Sequence, residues 1–65
     1  MKYSLVGVNG NAYAVMGYVK KAMKEVGNPK EEIDGYFRKA VSGDYNNLIA
    51  VSTDILEKLN QEMED

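Results

Sequence analysis

Two short stretches of this 65-residue chain carry residue types able to hold a polar or anionic ligand without a catalytic side chain. The first is Gly7-Val8-Asn9-Gly10-Asn11-Ala12, which joins a candidate strand to the start of a candidate helix. Backbone N–H groups exposed at the positive end of a helix dipole are the physical basis of phosphate binding at such turns, and glycine lets a ligand approach the main chain. Gly10, Asn11 and Ala12 would donate N–H groups, and the Asn9 and Asn11 amides could meet ribose hydroxyls, phosphate oxygens or a base edge. The stretch matches neither the full dinucleotide fingerprint nor a P-loop. A purely structural reading stands beside this one: a tight turn with Asn11 as helix N-cap.

The second stretch, Ser42-Gly43-Asp44-Tyr45-Asn46-Asn47, repeats the chemistry at another loop-to-helix junction. Two helix N-termini facing one cleft could hold a diphosphate, with Tyr13 or Tyr45 stacking on a base and Asp44 accepting from a ribose or an adenine-like amine. The structural alternative is capping by Asp44 and core packing by Tyr45.

The remaining composition limits what else the chain can do. It has no Cys, His or Trp, and 8 Lys plus Arg against 10 Asp plus Glu leave a net charge of −2. Disulfides, Cys/His metal sites, thiol nucleophiles and imidazole acid–base chemistry are excluded. Carboxylates such as Glu31, Glu32, Asp34, Asp44 and Asp54 remain. Glu31 and Asp34 lie in or near a first helical turn, where acidic residues have an electrostatic explanation, and none pairs in a recognisable hydrolytic arrangement. No enzyme activity, catalytic residue, metal or cofactor is therefore expected. Weak acidity disfavours duplex nucleic acid, and a third helix with Lys58 as its one base is a poor recognition helix. The longest uncharged run, residues 3–19, is interrupted by Gly7, Gly10 and Gly17, so neither a membrane span nor a signal sequence is expected, and the absence of Cys fits a reducing cytoplasm.

The elements that must position these stretches follow from periodicity and punctuation. A single domain, residues 1–65, is expected: mostly α, with a short N-terminal β-strand followed by three helices. Residues 2–8 read as a strand closed by the turn at Asn9-Gly10-Asn11. Ala12, Val15, Met16, Val19, Met23 and Val26 then recur at helical spacing, with Gly27 as left-handed cap. Asn28, Pro29 and Glu31 predict a capped second helix with Ile33, Phe37, Ala40 and Val41 as its inner stripe and Gly43 as its stop. Asp44 caps a third helix whose inner face would be Tyr45, Leu48, Ile49, Ser52, Ile55, Leu56 and Leu59, with residues 60–65 fraying.

A solitary strand has no ladder partner, and a chain this short buries only about 60% of its unfolded surface. Antiparallel pairing of the strand between two subunits would answer both problems, so a homodimer or higher oligomer is expected. The alternative is an extended arm lying on the helices. Gly17 and Gly35, inside helices, point to close packing against another helix or to room for a ligand. The five tyrosines suit interfaces, base stacking or half-buried packing, and Lys20, Lys21 and Lys24, with Arg38 and Lys39, could screen an anion or form a solvated face.

Gly10-Asn11-Ala12 with Gly17, Glu32-Ile33 and Ser42-Gly43-Asp44-Tyr45-Asn46 with Leu48 together resemble a family of very short proteins encoded by bacteriophages and prophages. Several such proteins act as sponges for nucleotide-derived immune signals of the host. The resemblance implies a nucleotide-type small-molecule partner, ADP-ribose-like or cyclic, sequestered in the host cell cytoplasm without cleavage. It maps onto residues 9–12 and 42–46. The competing function is a small regulator that docks on a host protein through its tyrosines and acidic tail.

Overall fold

The computed structural model describes residues 3–63, and these form three helices: α1 (Ala12–Val26), α2 (Lys30–Ala40) and α3 (Tyr45–Met63). Each begins or ends where local chemistry requires it. Asn11, in extended conformation, accepts the Tyr13 N–H on its side chain and starts α1. Gly27 ends α1 in the left-handed region at φ 96°, its N–H donating to Lys24 O while the Asn28 N–H reaches Met23 O at 2.9 Å. These two bonds satisfy carbonyls that the helix end leaves open. Asp44 opens α3 by accepting the Asn47 N–H at 2.9 Å.

The start of α2 differs from expectation. Pro29, not Asn28, occupies the N-cap position, and no side chain caps the helix, so the expected Asn28–Glu31 capping box does not form. Asn28 instead closes α1 through its backbone N–H, and α2 starts one residue later than the capping box requires.

α3 packs against both α1 and α2, which touch each other less. Its buried residues Leu48, Leu56 and Leu59 meet Val19, Ala22 and Met23 of α1 and Ile33, Tyr36 and Ala40 of α2 in one core. On α2 the inner stripe is Ile33, Tyr36 and Ala40; Phe37 is half-buried and Val41 is 65% exposed. Tyr36 turns inward because its hydroxyl finds the buried Ser52 hydroxyl at 2.6 Å, which removes the cost of burying either group alone. On α3, Tyr45 is 46% exposed and so lies at the edge of the face expected to be inner. Among the described residues no buried side-chain nitrogen or oxygen lacks a partner.

The expected N-terminal strand is not seen among the described residues. Lys2 lies outside the described residues; the rest of the segment is irregular and lies against the helices. The Asn60 side chain takes the place of a ladder partner: its Oδ1 accepts the Tyr3 N–H and its Nδ2 donates to Tyr3 O, both at 2.9 Å. The Ser4 N–H donates to the Tyr18 hydroxyl at 3.0 Å, and the Tyr3 and Tyr18 rings meet edge to face at 6.4 Å. Gly7, at φ 85°, then lets the Val8 N–H close onto Leu5 O, a turn whose third position requires positive φ and so ends any extended run. Asn60 is only 6% exposed, so α3 does not fray from residue 60 as expected; residues 64–65 lie outside the described residues.

Two consequences can be measured. Asn60→Ala leaves both main-chain groups of Tyr3 without their partner, and urea denaturation should show a loss of about 1–3 kcal/mol. An unchanged midpoint would mean that the clamp contributes nothing. Burial raises the Tyr36 pKa above its ordinary value despite the opposing Ser52 bond, and the hydrogen bond to Glu25 raises that of Tyr3. A raised pKa means that the folded chain holds the proton more tightly, so this contribution is intact below about pH 10 and is lost as the pH rises through and beyond that value. Stability measured from pH 8 to 12 should fall on the alkaline side, and less steeply in Tyr36→Phe.

Candidate functional site

The two junctions singled out in the sequence lie side by side. The Tyr45 hydroxyl, at the first residue of α3, donates to the Gly10 carbonyl in the loop before α1. Beside this bond lies a cleft of about 280 Å³, walled by Ala12 and Met16 of α1, Val41 and Gly43 of the α2–α3 connection, and Asp44 and Tyr45. Ala12, Gly43, Asp44 and Tyr45 are thus gathered around one space. Asn9, Gly10, Asn11, Tyr13, Ser42 and Asn46 are not among its walls.

The polar groups nearby are largely spent on local structure. Asn9 Oδ1 accepts the Asn11 N–H at 2.9 Å, and Asn11 Oδ1 accepts the Tyr13 N–H at 2.8 Å. Ser42 Oγ donates to Lys39 O at 2.7 Å. Asp44 Oδ1 holds the Asn47 N–H, and Asn47 Nδ2 reaches back to Lys39 O at 2.9 Å, closing the end of α2. The capping roles read from Asn11 and Asp44 therefore form. No Lys or Arg lines the cleft, and its walls are mainly apolar. It offers a bed for a ring more readily than a cradle for phosphate.

The glycines differ in what surrounds them. Gly43 is set by close approach: a Cβ there would stand 2.9 Å from Asn47 Cβ, within the contact that lets Asn47 cap α2. A Cβ at Gly10 would meet the Tyr45 hydroxyl at an ordinary 3.6 Å. Gly17 faces open space, so the close helix crossing anticipated there is not made within this chain. Gly35 borders a second cleft of about 270 Å³ between α2 and α3, where Glu32, Lys39, Lys58 and Glu62 place charges of both signs.

A third cleft, of about 260 Å³, was not assembled from the sequence. Lys20 and Lys24 of α1, Asn28 of the turn, and Lys30, Ile33, Asp34 and Phe37 of α2 line it. The spacing of Lys20 and Lys24 was visible, but their meeting with Lys30 and Phe37 depends on how α2 folds back along α1. Lys20 Nζ stands 6.0 Å from the centre of the Phe37 ring, at the outer limit of a cation–π contact.

No known protein family, curated protein or solved structure matches this chain. Among the described residues no helix is long and apolar enough to cross a membrane, and no three carboxylates gather to hold a metal ion.

Gly43→Ala should cost about 1–3 kcal/mol by thermal or urea unfolding, because Asn47 must shift against its own helix. Gly17→Ala, in open space on α1, should be neutral or stabilising by up to about 1 kcal/mol. The reverse order would show that close contact at Gly43 is not what selects glycine there.

Proposed function

We propose that this protein is a binding protein that sequesters a nucleotide-derived signal, of ADP-ribose or cyclic-nucleotide type, without cleaving it. The observation that carries the reading is the Tyr45–Gly10 hydrogen bond, which sets both candidate junctions beside one apolar cleft. In this reading the Tyr45 ring and the Met16 thioether hold the base, each suited to the face or edge of an aromatic ring. Asn46, exposed on the first turn of α3, and Asp44 offer acceptors for sugar hydroxyls or an exocyclic amine. Tyr13, 84% exposed on the first turn of α1, is the second ring that the reading offers for stacking, although it does not line the cleft. The Asn11 N–H is already bonded to Asn9, so of the main chain at residues 10–12 the reading uses Gly10 and Ala12. The resemblance to short phage-encoded proteins supports the same reading, with action in the host cell cytoplasm. Asp44, the one carboxylate at the cleft, is occupied in capping α3, which suits holding a ligand rather than cleaving it.

The exposure of Val6 (91%), Tyr13 and Val41 favours a second reading, a protein-contact surface used in self-association or in docking on a host protein.

Isothermal titration with ADP-ribose and with a cyclic dinucleotide tests the first reading. At least one should bind, and Tyr45→Ala should weaken it about tenfold or more, the scale of one lost stacking contact. Absence of heat with both ligands, with light scattering showing a stable assembly, would instead favour the protein-contact surface.

A further inference from the structure

Six of the eight basic residues, Lys20, Lys21, Lys24, Lys30, Arg38 and Lys39, fall within residues 20–39 of a chain whose net charge is −2. Three of them, Lys20, Lys24 and Lys30, line the third cleft, and Asp34 is the one carboxylate among its walls. Among the described residues none of these lysines is paired with a carboxylate. Lys20 and Lys24 are one helical turn apart, a like-charge spacing that opposes helix stability and that a bound anion would relieve. The fold adds Lys30 from α2 together with the buried Ile33 and the half-buried Phe37 ring, so three exposed lysines from two helices border one cleft.

This cleft also continues the apolar one. Ala12 and Met16 line the first, and Lys20 and Lys24 the second; residues 12, 16, 20 and 24 form one row along α1 at four-residue spacing. On α2, Phe37 stands one turn from Ala40 and Val41. The two clefts are therefore successive stretches of the α1–α2 side of the molecule, one apolar and one basic.

We infer that the Lys20–Lys24–Lys30 cleft is the phosphate-binding half of the ligand site and takes the diphosphate or cyclic phosphate of the nucleotide whose base lies against Tyr45. The assignment rests on the nucleotide reading for the ring-bearing half, and it moves the phosphates away from the Gly10–Ala12 amides. Charge explains the move: the junction cleft holds Asp44 and no cation, while this one holds three cations, and Lys ammonium groups bind phosphate oxygens through strong charge-assisted hydrogen bonds. Asp34 accepts from a hydroxyl or amine of the same ligand, which favours a nucleotide over bare polyphosphate. A small ligand fits better than a nucleic acid strand, since the cleft is short and α3 is acidic, with Asp54, Glu57 and Glu62 against Lys58.

The test is titration of the full chain with inorganic pyrophosphate and with ADP-ribose, followed by amide chemical shifts and calorimetry. Pyrophosphate should perturb the amides of Lys24, Lys30 and Phe37. Lys20→Gln combined with Lys24→Gln should weaken both ligands roughly tenfold or more, while Lys21→Gln, which does not line the cleft, should leave them unchanged. Perturbation confined to residues 9–12, equal loss in Lys21→Gln, or tighter binding of a single-stranded oligonucleotide than of ADP-ribose would each overturn the assignment. Binding of ADP-ribose that depends on Tyr45 but not on the two lysines overturns it and leaves the nucleotide reading in place. Pyrophosphate bound here with no gain for ADP-ribose upholds the phosphate site and removes the nucleotide reading.

Discussion

The pairing of the Asn60 side-chain amide with the main chain of Tyr3 is the constraint on which the arrangement of this small domain turns. A carboxamide presents one donor and one acceptor in the same relation as a peptide group, so it can satisfy an extended residue as a neighbouring strand would. The bond joins residues 57 positions apart and ties the N-terminal segment to the end of α3. Ser4 bonded to Tyr18 and Tyr3 bonded to Glu25 extend the tie to α1. The segment thereby gains hydrogen bonds without a second strand.

That closure also organises the candidate site. With Tyr3 and Ser4 held on α1 and α3, the turn at Gly7 directs the chain back toward the start of α1, and the loop before it meets Tyr45. The same groups that look suited to ligands, Asn9, Asn11, Asp44 and Ser42, spend hydrogen bonds on turns and helix ends. Helix ends must be satisfied whether or not a ligand exists. In the proposed reading, what remains for recognition is shape, the Tyr45 ring, and charge held one or two turns further along α1.

Much of the fold was legible in the sequence, and the reasons are local. Asn11, Gly27 and Asp44 mark helix ends through bonds to residues two to four positions away, and the apolar spacing in residues 12–26 and 45–59 reports which faces turn inward. The failures are non-local. Residues 2–8 carry strand-forming side chains, yet Gly7 and the distant Asn60 decide the conformation of residues 3–8. The preference for Tyr36 over Phe37 as a buried ring depends on Ser52, sixteen residues away on another helix. Of the candidate site, the two junctions could be read as chemistry, but the lysine cleft could not, because its walls come from both sides of a helical hairpin.

The sequence alone determined three helices, their main boundaries, the exclusion of Cys and His chemistry, and the two polar junctions, since each depends on composition or on contacts within a turn. Only the tertiary structure decided that the N-terminal segment is an arm clamped by Asn60, that the junctions meet at Tyr45 and Gly10, and that three lysines share a cleft with Phe37. Those outcomes depend on which side chain of one helix reaches the backbone or surface of another. That relation is set by packing angle and register, which spacing along a single helix does not encode.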